Sequence, residues 1–452
     1  MSVVLPEDFL NELDNLKGYN KKSFLDAHLL PSPTSVRINP SKDINLYTNN
    51  KPVLWCENAY YLNERPVFTL DPHYHAGAYY VQEASSMFLQ HLFKSIIKDK
   101  TGLRVLDLCA APGGKSTLIA SLLDTESLLI SNDVIRTRAT ILDENLTRWG
   151  QMNTWVTSND PRDFSLLTDY FDVILVDAPC SGSGLFRKDP NAIKEWSLEN
   201  VQLCSDRQKR ILNDILPCLK NDGILIYATC SYSAKENEEI LDFIADNYNI
   251  TSIESELKED WGIVEVKSKK NEVTGYRFFP DKIEGEGFFI AAIQKNESDN
   301  QQKIHRYKTA HNKKAFEQSS YLLNIDNYLV IATDIENFSA IHNQHEIDWH
   351  ILKNKLYLRK TGLRLGNSTI KDWIPAHDVA LSNDMNTNLP SINVTKEQAL
   401  RFLKKEDILT NESGKGWFVV KYNNLGLGWI KNLGNRTNNY LPKNWRIRME
   451  LK

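Results

Sequence analysis

Several things are scarce in this 452-residue chain, and each scarcity removes a class of protein. There is no run of about 18 apolar residues and no basic-then-apolar N-terminus, so neither a membrane span nor a secretory leader is expected. The six cysteines (56, 109, 180, 204, 218 and 230) include no Cys-x-x-Cys pair, so a metal site is not expected. At this length and without an export signal a disulfide framework is not expected either, and the thiols read as reduced in a cytoplasmic protein. The pattern G-x-G-x-x-G is missing, which argues against a nicotinamide dinucleotide site. Internal repeats and low-complexity tracts are missing too.

What is present is an asymmetry of charge. Residues 1–300 carry 31 basic against 44 acidic side chains, and residues 301–452 carry 23 against 14. The net charge of -4 conceals this split. A basic C-terminal part is a reason to expect a polyanionic partner there, although two differently charged solvated surfaces would look the same.

Along the chain, Phe9, Leu10, Leu13 and Leu16 follow Pro6 at helical spacing, and Ser35 to Asn39 alternates like a strand that stops at Pro40. A small α+β module with its lead-in helix is expected over 1–95. Residues 79–92 read as helical, with Gln82, Glu83, Ser85 and Ser86 as the polar face. From 103 onward strands alternate with helices: 103–108, 127–132, 154–158, 172–177 and 223–229, with a long helix over 196–219 and a further apolar strand at 288–293. That alternation predicts an α/β fold with a doubly wound, Rossmann-like parallel sheet over 96–295. Residues 296–318 read as a linker and 319–452 as a β-rich C-terminal region. From 421 onward seven basic residues and one acid are interleaved with Trp429, Tyr440 and Trp445.

Ligands in such sheets bind past the carboxyl ends of the strands. A loop at Cys109, Ala110, Ala111, Pro112, Gly113, Gly114 and Lys115 separates the first strand from its helix. Asp107, Asp133 and Asp160 stand near the ends of three successive strands. Asp133 has the spacing of a ribose-binding acid, and Asp160 is placed to read an adenine edge. Each could instead be a helix N-cap. Gly114-Lys115-Ser116 resembles the end of a P-loop, but the first glycine position holds Cys109, and Pro112 would remove a donor from the nest that phosphates need. An acid-lined site suits S-adenosylmethionine, which has no phosphate to neutralise.

Asp177 ends the fourth strand, with Cys180 just beyond it, and Cys230 ends the fifth. One strand-end cysteine is usually a small core residue. Two at neighbouring strand ends, one beside an acid, point to catalysis: a thiolate adds to carbon 6 of a pyrimidine, an acid protonates ring nitrogen 3, and carbon 5 becomes nucleophilic. Which thiol attacks is not settled by this logic. The base has to be reached out of its stack, and Arg187 and Lys188 are placed to hold flanking phosphates.

The stretches Leu106-Asp-Leu-Cys-Ala-Ala-Pro-Gly-Gly-Lys115, Asp177-Ala-Pro-Cys-Ser-Gly182 and Ala228-Thr-Cys-Ser231 resemble the core motifs of the Nol/Nop/Sun RNA (cytosine-5) methyltransferases. Val36-Arg-Ile-Asn-Pro40, Tyr80-Val-Gln-Glu83 and Gly285-Glu-Gly-Phe-Phe289 extend the resemblance over most of 30–295. It implies S-adenosylmethionine as cofactor, held by 109–115, Asp133, Asp160 and Asp177. It also implies Cys230 as nucleophile, Cys180 as the cysteine that helps release product, and Asp177 as the assisting acid. Gly426-Leu-Gly-Trp-Ile-Lys431, Asn438 to Pro442 and Trp445-Arg-Ile447 resemble the RNA-binding, PUA-like C-terminal region of the RsmF-like branch. That implies rRNA of the small ribosomal subunit (16S) as partner, ahead of tRNA. Asp281 stands where relatives often carry His. A non-catalytic RNA-binding assembly factor is the rival reading, and it would need neither thiol.

Overall fold

A computed structural model describes residues 5–296, 313–324, 326–369, 372–408 and 414–450. Five parallel strands form its centre, in the spatial order Leu219–Thr229, Phe171–Asp177, Arg104–Asp107, Leu128–Asn132, Thr154–Thr157. The strand Phe171–Asp177 reads as a near-continuous apolar run because helices cover both faces of the sheet. Strand Phe288–Lys295 adds antiparallel to Leu219–Thr229, and Thr274–Phe278 and Val264–Lys267 extend that side. From Arg104–Asp107 the chain moves outward through two strands, then returns to lay Phe171–Asp177 on the other side. The topological switch point therefore lies between Asp107 and Asp177, where a ligand crevice opens.

The helices around this sheet start where the sequence offers caps. Ser197 accepts from Asn200 N–H at the head of Leu198–Ile215, satisfying one of the orphan donors of the first turn. Gly150, at positive φ, ends Arg136–Trp149.

Residues 79–92 correct the helical expectation. Tyr79–Val81 is a strand, antiparallel to Thr34–Ile38 with Tyr79 opposite Ile38, and it is followed by a 3-10 turn (Ser85–Phe88) and the helix Leu89–Ile97. Gln82, Ser85 and Ser86 are buried rather than a solvated face. Glu83 collects the N–H groups of Ser85, Ser86 and Glu286, so the polar spacing served an internal network.

The C-terminal half holds two four-stranded sheets, one built from Tyr328–Ala332, Asn337–His342, Leu363–Ser368 and Trp373–Pro375, the other from Ser391–Asn393, Gly416–Tyr422, Leu425–Asn432 and Thr437–Asn439. It does not hang free of the core. Leu358–Lys360 pairs antiparallel with Thr154–Thr157 as a further strand of the large sheet. Ile392, Phe402, Leu427 and Ile447 share one apolar cluster with Val36, Ile38 and Tyr79 of the N-terminal module. Of the stretch read as a linker, residues 297–312 lie outside the described residues, and Lys313–Ser319 is a helix. Trp429 is buried and donates to the Ala376 carbonyl, while Trp445 packs on His377 and under Arg148. These aromatics of the basic tail build its interior. Among the described residues no helix is long and apolar enough to cross a membrane.

Candidate active site

At the switch point a cavity of about 210 Å³ is lined by Asp107, Cys109, Ala110, Ala111, Pro112, Gly114, Lys115 and Asp177, with Tyr80 to Glu83, Ser86 and Lys188 closing it. Gly113 turns the loop with φ +113°, a conformation side chains rarely adopt. Arg37, fully buried in the N-terminal strand, lies over the Trp149 ring and donates to Gln82 Oε1 and Thr117 Oγ1. Its burial lowers its pKa to about 10. This buried cation clamps the start of the helix Gly114–Ala120.

Asp107 accepts from Ser116 Oγ at 2.6 Å through one oxygen, while its other oxygen is buried and has no partner. Burial raises its pKa to about 7. An orphaned acceptor in an acid-lined cavity fits a cationic, phosphate-free cofactor such as S-adenosylmethionine, and its chemistry opposes a nucleotide phosphate. Asp133 and Asp160 do not line this cavity. Asp133 accepts from Ile135 N–H and pairs with Arg138, and the exposed Val134 and Ile135 follow it. Asp160 forms a capping box with Asp163 at the head of the turn Pro161–Leu166 and binds Arg162.

Lys115 Nζ donates to Asp177 Oδ2 at 2.7 Å. Burial pushes the ammonium down, but the charges of Asp177 and Asp107 outweigh it and its pKa is raised.

Cys180 and Cys230 meet beside this pair, their sulfurs 3.0 Å apart. The hydrogen bond to Cys230, then burial, holds the Cys180 thiol well above its ordinary value. Burial likewise raises Cys56 and Cys218 to about 12 and Cys204 to about 11, so those three are inert. The Cys230 loop is pressed against Gly184, whose N–H binds the Cys230 carbonyl at 2.8 Å. A Cβ at Gly184 would lie 2.3 Å from the Gly287 carbonyl and 2.7 Å from that of Cys230.

Arg187 corrects an expectation. It is spent on an ion pair with Glu286, both side chains nearly inaccessible, and on the Gly285 carbonyl, so it offers no face to a phosphate. Lys188 faces the cavity. Asp281 accepts from Ser23 Oγ at 2.6 Å, a contact to the N-terminal module.

Sequence reasoning missed the roles of Arg37 and Gln82. Alternation along the strand would put Arg37 on the face opposite Val36 and Ile38, so its burial had no signal in the sequence.

The switch-point crevice, glycine loop and strand order define an α/β fold of the methyltransferase class. A methyltransferase homolog from Pyrococcus horikoshii superimposes with TM-score 0.52 at 29% identity, over 64% of this chain and all of that one. NSun6 from the same organism shares the fold with TM-score 0.54 at 18% identity, over 66% of this chain and all of that one. The family described as 16S rRNA methyltransferase RsmB/F matches residues 95–294, the N-terminal domain of 16S rRNA methyltransferase RsmF matches 5–84, and the methyltransferase RsmF PUA domain matches 389–447. Ribosomal RNA small subunit methyltransferase F of Shewanella piezotolerans is 30% identical over 93% of both chains, and that of Vibrio cholerae 30% over 98% of both. The chain belongs to the ribosomal RNA small subunit methyltransferase F family.

Proposed function

We propose that this protein methylates carbon 5 of a cytosine in small-subunit rRNA, using S-adenosylmethionine and a covalent cysteine adduct. The observation that carries the reading is the meeting of two thiols, 3.0 Å apart, beside the Asp177–Lys115 pair at the switch point. A protein that only binds RNA needs none of these four groups. The rRNA substrate follows from the names of the full-length relatives and from the match to the RsmF PUA domain.

Residues 109–115 and Asp107 would hold the cofactor, with Asp133 and Asp160 at the neighbouring strand ends. S-adenosylmethionine supplies the electrophilic methyl group when bound. The protein's own residues prepare the base. Cys230 releases its thiol proton to solvent and adds through sulfur to carbon 6, while ring nitrogen 3 takes a proton from the Asp177–Lys115 pair. Carbon 5 is then enamine-like and accepts the methyl group. Cys180, as thiolate, removes the carbon 5 proton, the carbon 5–carbon 6 double bond re-forms, the Cys230 sulfur leaves with its electron pair, and ring nitrogen 3 returns its proton to the Asp177–Lys115 pair.

The sulfur contact orders these steps. Cys180 is kept protonated first by its hydrogen bond to Cys230. Once the Cys230 sulfur is a thioether on carbon 6, the first of these causes is gone, and Cys180 is the better base at the step that needs one.

The test is methyl transfer from labelled S-adenosylmethionine to 16S rRNA and small ribosomal subunits, followed by nucleoside analysis. The expected product is 5-methylcytidine in 16S rRNA. Label on another base or atom contradicts the reading, and label on tRNA alone replaces the substrate. No transfer to any RNA favours the assembly-factor reading.

A further inference from the structure

The two cysteine loops are joined by one buried carboxylate outside the motifs that carry the thiols. Glu236 follows Cys230 by six residues, in the turn Ala234–Glu236, and is wholly inaccessible to solvent. Its Oε1 accepts from Ser181 N–H at 2.8 Å and Gln208 Nε2 at 3.2 Å. Its Oε2 accepts from Ser181 Oγ and Ser231 Oγ, each at 2.5 Å. Ser181 is the residue after Cys180 and Ser231 the residue after Cys230, so one side chain ties the backbone behind each sulfur to the other.

Among the described residues no cation forms an ion pair with this carboxylate; four hydrogen bonds from neutral groups solvate it instead. Burying a carboxylate is costly without such bonds, and burial still raises its pKa. The surroundings are equally fixed. Gln208 also donates to the Pro179 carbonyl, and the Asn237 amide binds the Ser231 carbonyl and accepts from Thr229 Oγ1. A hydrophobic filler of the same volume would pack the space between these loops, but it would leave the loops free to slide past one another. The carboxylate fixes their spacing instead.

We propose that Glu236 is a positioning residue that sets the separation of the two sulfurs, and through it the release of methylated RNA. This rests on the cysteine roles given above. The argument turns on which step needs both loops at once. Attack on carbon 6 uses the Cys230 sulfur alone. Release uses both: the Cys180 sulfur takes the carbon 5 proton, the C–H pair becomes the double bond, and the carbon 6–sulfur bond breaks with its electrons going to Cys230. A brace that slackens therefore slows release more than it slows the first methyl transfer.

The experiment follows the first and later turnovers of Glu236→Ala, Glu236→Gln and Ser231→Ala on a 16S rRNA transcript and on small ribosomal subunits, with denaturing gels to detect adduct. Ser231→Ala removes a single hydroxyl arm and decides the matter if Glu236→Ala does not fold. Expected are a first turnover within about threefold of the unaltered protein, later turnovers slowed by about tenfold or more, and an accumulating protein–RNA adduct. Glu236→Gln keeps an acceptor for Ser181 N–H and lies between. First and later turnovers falling together without adduct, or an unchanged ratio between them, overturns the proposal. Cys180→Ala in parallel separates the two failures. If it traps adduct and the brace variants do not, Glu236 is structural only; if it traps none, the cysteine reading itself fails.

Discussion

Two groups of buried carboxylates, one behind the catalytic thiols and one along the C-terminal seam, are held in opposite ways. In the catalytic cleft Glu236 is held by neutral N–H and O–H donors, and its pKa rises. Along the seam that fastens the C-terminal half to the sheet, the partners are cations. Asp348 receives Nε and Nη2 of Arg104 at 2.7 and 3.2 Å and the Tyr170 hydroxyl. Asp143 and Asp378 share Arg364, and Lys360 lies beside Asp378. Burial alone would raise Asp348 and Asp378, but His345 and then Arg104 and Tyr170 at Asp348, and Arg364 and Lys360 at Asp378, outweigh it and hold both below the usual range. Neutral donors fix direction and spacing where chemistry depends on them. Along the seam, ion pairs fasten one half of the chain to the other.

Breaking each side of this contrast separates activity from stability. The largest expected effect is Cys230→Ala, which costs on the order of 10⁴ or more in methyl transfer with the fold unchanged, read by single-turnover kinetics beside thermal unfolding. Next, Asp348→Ala leaves Arg104 and the Tyr170 hydroxyl without their acceptor. It lowers stability by about 2–3 kcal/mol, less than a fully buried pair because Arg104 keeps a third of its side chain exposed. Denaturant unfolding measures it, and turnover per folded molecule stays within about twofold. Gly184→Ala forces the Gly287 or Cys230 backbone to move and lowers kcat by about 10²-fold, with little change in cofactor affinity.

The smallest effects come from pH. Because Asp107 is raised to about 7 by burial, S-adenosylmethionine affinity should climb as pH rises through about 7 and ionises it, and Asp107→Asn should flatten the profile. The seam responds in the acid range. The stability that Asp348 contributes is full above the unfolded carboxylate value of about 3.9 and disappears as pH falls through its lowered folded value. Acid unfolding of Asp348→Ala should therefore be shallower below pH about 4.

The parallel strands were legible, because apolar runs such as 173–176 are bounded by turn residues and end at acids and thiols, but their spatial order was not read from the sequence. The doubly wound class followed from that alternation. The family motifs assigned Cys230 and Cys180 their roles; strand-end position alone left the two thiols equivalent. Single-residue partnerships between distant segments were not legible. Glu236 looks like any acid before a helix until Ser181, 55 residues earlier, is seen to donate to it. Arg187 reads as a surface cation until Glu286 is found against it. Residues 358–360 carry too short a pattern to announce a strand, and only the exposed edge of Thr154–Thr157 gives them a partner. The run 79–92 misled because its polar residues recur at helical spacing while serving Glu83 and the buried Arg37.

The central claim is that two thiols divide one reaction, Cys230 attacking and Cys180 releasing. The most direct measurement is a denaturing gel of Cys180→Ala and Cys230→Ala after incubation with S-adenosylmethionine and small ribosomal subunits. The account predicts a protein–RNA adduct with Cys180→Ala and none with Cys230→Ala. An adduct with Cys230→Ala instead would contradict that division of roles.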